Sequence, residues 1–218
     1  MLYLRRLFIA VLILGLLPAA VLAEDNRLAL KGFYEAAFAG EYGDTQRGVT
    51  VRWEGPITMY MKGGYTQEDI AVLAALLYDL SAHVPGLPEL ALTTREESAN
   101  VTLSFVPQAE MKNAVPDYRE GNLGFVWVKY DNYVIKTARI SISTNTRQWR
   151  RSAIIREEVV NMLGLLNDIT VTTKSIICQS GKTVTNLSDI DYAMLNYLYS
   201  PQIPPGTTLN KAKKVLGE

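Results

Sequence analysis

Histidine is almost missing from this chain: of 218 residues, only His83 carries an imidazole. A catalytic zinc ion normally rests on three neutral imidazoles, or on two with a carboxylate, so counting alone excludes such a centre within one copy. His83, near the end of an amphipathic stretch, reads as a helix-end residue rather than a ligand. Cysteine is as scarce. Cys178 stands alone, so no disulfide closes within the chain, and a small buried apolar role is expected for it. Charge bias is absent as well, with 22 basic against 22 acidic residues, which leaves no global field for nucleic acid or a membrane surface. There is no internal repeat, no low-complexity linker, no G-x-S-x-G elbow and no glycine-rich dinucleotide loop. "SGK" at 180–182 lacks the preceding glycine of a phosphate loop.

Long hydrophobic runs are missing too, except at the start. "MLYLRR" supplies a basic region, "LFIAVLILGLLPAAV" an apolar one, and "VLA" the small residues before a cut between Ala23 and Glu24. Residues 1–23 therefore read as a signal peptide, with an uncleaved anchor as the alternative, and the expected location is secreted or periplasmic. Cleavage would remove Arg5 and Arg6, leaving 20 of the 22 basic residues against 22 acidic ones and no membrane attachment. Residues 24–218 are expected to form a single domain, with 206–218 as a loosely attached tail. A hydrophobic fraction of 48% fits a globular chain.

Local signals place the elements. "VTVRW" (49–53) and "ITMYM" (57–61) alternate as strands around an "EGP" turn. Thr66 opens a helix with Asp69 completing a capping box, and "PGLP" at 85–88 stops it. "NVTLSFV" (100–106) is a strand with Val101, Leu103 and Phe105 on one face, followed by a polar irregular segment to Asn122 with a short helical turn. "GFVWVKY" (124–130) and "ARISIS" (138–143) are strands, and a helix spans about 147–166. Ser188 and Asp191 box the start of a last helix over 187–199. This order predicts an α+β domain, a twisted mixed sheet packed on helices.

The helix near 147–166 carries the chemistry. Its polar stripe is narrow (Arg150, Glu157, Asn161, Gly164), as on a helix enclosed except along a slit. Glu158 lies on the apolar flank, where a carboxylate must find a partner or have its pKa raised. Glu158 is thus the candidate general base, and the alternative is a rim glutamate whose head reaches water. Arg147, Arg150 and Arg151 crowd the end where the helix dipole disfavours them; they are expected to pair with acidic groups or face solvent, and Arg156 to lie near Glu157.

"EEVVNMLGLLND" (157–168) resembles the H-E-x-x-H-x-x-G-x-x-H helix of metzincin metalloproteases. Glu157, Asn161 and Asn167 take the three histidine positions and Glu158 that of the general base. "SII" (175–177) resembles the Met-turn of that family, with Ile177 in place of methionine. The chain is closer still to a family of secreted bacterial zincin-like proteins, whose pattern G-L-x-N-D, Ser-Ile, then L-S-x-x-D…L-Y-x-P matches "GLLND" (164–168), "SI" (175–176) and "LSDIDYAMLNYLYSP" (187–201). The resemblance implies a zincin-like domain whose cleft, lined by Glu157, Asn161, Asn167 and Asp168, lacks its zinc ligands. It implies a non-catalytic module binding a peptide or a cell-envelope protein, with "GFVWVKY" as the strand edging the cleft. No zinc is expected, and an oxygen-ligated divalent cation is the one metal alternative. The competing reading is a peptidase-like hydrolase using Glu158.

Overall fold

The computed structural model describes residues 23–39, 48–179 and 184–217. Residues 1–22 of the expected signal peptide and all of "SGK" lie outside these residues. The first described element is a helix, α1 (23–38), for which the sequence reading had no counterpart. Ala29, Phe33, Ala36 and Ala37 recur at helical spacing and are fully buried. Gly32 allows close packing, since a Cβ there would lie 2.7 Å from Met194 Sδ.

Five strands form one sheet in the order β2-β1-β3-β5-β4. They are β1 (Ile57–Gly63), β2 (Leu90–Thr93), β3 (Val101–Val106), β4 (Gly124–Asp131) and β5 (Val134–Ser143). β1 runs parallel to β2 and β3, and β3 parallel to β5, while β4 is antiparallel to β5. The class is mixed α/β, with helices α1, α2 (Gln67–His83), the single-turn α3 (Met111–Ala114), α4 (Gln148–Met162), α5 (Asp189–Leu198) and α6 (Leu209–Leu216). Alternation fixes the core face of the sheet: Val101, Leu103 and Phe105 of β3 and Ala138, Ile140 and Ile142 of β5 are buried with the apolar sides of α2 and α4.

Several boundaries differ from the sequence reading: β2 had no counterpart in it, and the helix expected to reach 166 ends at Met162, before Gly164 at positive φ. "VTVRW" forms no ladder; it is extended and stitched on both sides, Thr50 N donating to Thr207 O (2.9 Å) and Ile135 N to Arg52 O (2.9 Å). β5 begins four residues earlier than expected because Asn132 and Tyr133, both at positive φ, make a two-residue hairpin turn from β4. Residues 206–217, read as a possible loose tail, hold α6, capped by Thr208 and with Ala212 buried.

Both capping boxes form as the spacing predicts: Thr66 with Asp69 at α2, and Ser188 with Asp191 at α5. Asp69 does more than cap. It is buried and accepts from Arg151 Nε (3.0 Å) and Gln148 Nε2 (2.6 Å), tying the start of α2 to the start of α4. Burial pushes the Asp69 carboxyl pKa up, but the bonds from Gln148, Arg151 and Thr66 outweigh it and hold the group below its ordinary value.

Candidate functional site

α4 is the central element. Eleven of its fifteen residues are buried, so the slit predicted from its projection is present. The slit opens toward the first residues of β4, and between them lies a cleft of about 240 Å³. Gly121 to Val126 form one wall, and Arg150, Ile154, Glu157, Glu158 and Asn161 the other, with Leu166 and Asp168 beyond the helix end. β4 stands at the sheet edge and pairs only with β5 among the described residues.

The two walls approach closely at Gly124. A Cβ there would meet Ile154 Cγ2 at 2.3 Å and Glu158 Oε1 at 2.5 Å, so only glycine lets the strand lie this near the helix. Gly164, at φ +120°, turns the chain out of α4, and a Cβ on it would lie 2.2 Å from Val51 O. The last carbonyls of α4 are capped from elsewhere: Trp53 Nε1 donates to Met162 O (2.9 Å) and the Tyr199 hydroxyl to Leu163 O (2.8 Å). Burial pushes the Tyr199 phenol pKa far up, which keeps it a donor.

Of the sequence-predicted site residues, Glu157, Glu158, Asn161 and Asp168 come together on the cleft. Glu157 and Glu158 are 5% and 7% exposed, and with Asp168 they are engaged in interactions of their own. Asn161 is 8% exposed, and its buried Oδ1 accepts no hydrogen bond among the described residues. Asn167 goes elsewhere. Its Nδ2 donates to Ala36 O (2.9 Å) and Ala39 O (2.7 Å), closing the C-terminal end of α1. The reason is the turn at Gly164, which carries the chain under α1, where Thr170 N also donates to Glu35 Oε2 (2.7 Å).

Arg156 is not beside Glu157. Its Nη1 donates to Ser152 O (2.8 Å), and Asp79 and Tyr192 are its charge neighbours while burial lowers its pKa. His83 is exposed at the end of α2, stacked on Tyr192 at 4.7 Å, and Cys178 is buried. Sequence reasoning missed Gly124, whose only signal was a glycine opening a strand, while Arg150 lies in the cleft wall as its place on the polar stripe of the helix implied.

The "SII" segment is fastened by Asp191. Its carboxylate accepts from Ser175 Oγ (2.5 Å), Ile176 N (3.2 Å) and Ser188 N (2.8 Å). Burial raises the Asp191 pKa against the pull of these bonds. No group of three or more His, Cys, Asp or Glu among the described residues is placed to hold one metal ion, and no described helix is long and apolar enough to cross a membrane.

Fold and site together define a mixed α/β domain with a cleft between an edge strand and a largely buried helix. The chain belongs to a family described as protein of unknown function (DUF2927), which matches residues 26–218. Among solved structures it is similar to the metalloprotease myroilysin, at 10% identity and a TM-score of 0.44, over 71% of this chain and 97% of that one. No curated protein matches.

Proposed function

We propose that this is an extracytoplasmic, zincin-like binding module that receives an extended peptide segment, of a free peptide or a cell-envelope protein, in the cleft between β4 and α4. One observation carries the reading: β4 is an edge strand whose outer side flanks the cleft. An extended chain added there gains main-chain hydrogen bonds from β4 and side-chain contacts from α4, the usual physics of strand addition. The basic-apolar-small pattern of residues 1–23 supports export.

Zinc does not fit the residues at the metzincin-like positions. Glu157 and Asn161 present only oxygen and amide donors, and the Asn167 amide is committed to the α1 carbonyls. The second reading, a hydrolase with Glu158 as base, is favoured by the place of that carboxylate against Gly124 inside the cleft.

One experiment separates the two. Full-length exported protein is mixed with a randomised, dye-labelled peptide pool; binding is read by fluorescence anisotropy and cleavage by mass spectrometry. Saturable binding that survives a chelator and Glu158→Gln, without fragments, is expected. Fragments that disappear in Glu158→Gln would establish the hydrolase instead.

A further inference from the structure

Among the described residues, two groups on the α4 wall lack partners, one near each end of the helix. Arg150 lines it, is half-buried, and forms no ion pair with a described residue. Its situation is unlike that of Lys62, which lines another cavity but is paired with Glu96 at 2.7 Å. The end of α4 that bears Arg150 is also electropositive for a second reason. The N-cap residue Arg147 makes no side-chain cap bond and the first turn holds no acidic residue; the carboxylate that reaches this end, Asp69 of α2, is paired with Arg151 rather than Arg150, so Arg150 and the positive pole of the helix reinforce one another. At the other end, the Asn161 amide is nine-tenths buried, lines the cleft and has an oxygen without a donor. The terminal torsion of asparagine is soft and roughly two-fold, so a half-turn about it exchanges which amide atom faces the cleft.

The spacing of these groups selects a ligand. Eleven positions on an α-helix span about 16 Å at 1.5 Å per residue. An extended chain covers that distance in about five residues. We infer that the cleft takes an extended peptide of about that length, with a carboxylate at the Arg150 end and a backbone amide at Asn161. This rests on the peptide-binding reading above and adds the chemistry the peptide must carry. The carboxylate gains a charge-assisted bond from Arg150, reinforced by the helix dipole. The backbone amide, which both donates and accepts, matches the two-sided amide of Asn161. A C-terminus and an Asp or Glu side chain present the same carboxylate, and the test below separates these two sources.

The test uses octapeptides selected by the full chain from dye-labelled pools, one with free C-terminal carboxylates and one with C-terminal amides. The selected peptides are expected to carry a carboxylate, with affinity falling as salt rises. Arg150→Gln should weaken binding about ten- to a hundredfold, and Arg150→Lys should restore part of it, as expected for loss of a charge-assisted bond. If the amidated pool selects Asp or Glu, the side chain is the source; if it selects nothing, the C-terminus is. Asn161→Leu should weaken the same peptides several-fold while raising the melting temperature, because it removes a buried unsatisfied amide. A structural role for Asn161 would instead lower the melting temperature. Peptides that bind tightly but are indifferent to their carboxylates and to Arg150→Gln overturn this inference and leave the peptide-binding reading standing. Failure of every peptide in both pools overturns both.

Discussion

Asn167→Ala tests whether this residue holds the fold together or belongs to the cleft. The side chain closes two carbonyls at the end of α1, Ala36 O at 2.9 Å and Ala39 O at 2.7 Å, with Ala36 fully buried. Alanine removes both bonds and leaves a buried acceptor with nothing in place of the donor. Two neutral hydrogen bonds at about 1 kcal/mol each, plus the desolvation left on one carbonyl, come to about 2–4 kcal/mol. For a domain of this size that lowers the melting temperature by roughly 4–16 °C. Asn167→Asp should cost more, since a carboxylate would face two carbonyl oxygens. The measurement is urea unfolding followed by far-UV circular dichroism, with hydrogen exchange resolved along the chain. Exchange should rise first over 23–38, because α1 would then be held by Thr170–Glu35 and Lys174–Asp25, while α4 stays protected. Peptide affinity should hardly change. A variant that unfolds like the wild type, or that loses peptide binding at full stability, would show that Asn167 faces the cleft after all.

Three other perturbations follow from the same geometry. Asp69→Asn leaves Arg151 buried beside a neutral amide and should cost about 3–5 kcal/mol in chemical denaturation. The Asp69 pKa is lowered in the fold, so its stabilisation is complete above the unfolded value, about pH 4, and is lost as pH falls through the folded one; the variant should therefore show a flatter acid limb than the wild type. Gly124→Ala puts a methyl 2.3 Å from Ile154 Cγ2, forcing β4 away from α4 at about 1–3 kcal/mol; unchanged stability would mean the two walls are not in contact. Trp53→Phe and Tyr199→Phe each strip a donor from neighbouring carbonyls at the end of α4, at about 1–3 kcal/mol apiece. Because both serve one helix end, a double-mutant cycle should show them coupled rather than additive.

What was legible in the sequence was local. The two capping boxes need partners only three residues apart, and both form. The slit on α4 follows from helical projection, and the strands β1 and β3 from alternation. What was missed depends on distance. Asn167 meets its carbonyls 131 and 128 residues away, and Arg151 meets Asp69 across 82, separations that no window contains. Within "EDNRLALKGFYEAAFAG" the apolar spacing of α1 was present, but Gly32 in its middle lowers helix propensity; the close packing on Met194 that favours a glycine there is visible only in three dimensions.

The backbone around α4 and the positions that resemble zinc ligands behave differently. The surrounding backbone is strictly confined: Gly164 by its positive φ and the nearby Val51 carbonyl, Gly124 by Ile154 and Glu158, and the "SII" segment by the Asp191 carboxylate that accepts from it. Those at the histidine positions share no single task, since Glu157 and Asn161 face the cleft while Asn167 turns to α1. A hydrolytic centre needs its ligands to converge on one point, whereas a strand-binding cleft needs only a firm wall and a few groups spaced along it. Arg150 and Asn161, far apart on one helix face and both without partners among the described residues, meet the second requirement. On the proposed reading, recognition is therefore distributed along α4, and single substitutions should retune which peptide binds rather than abolish binding outright.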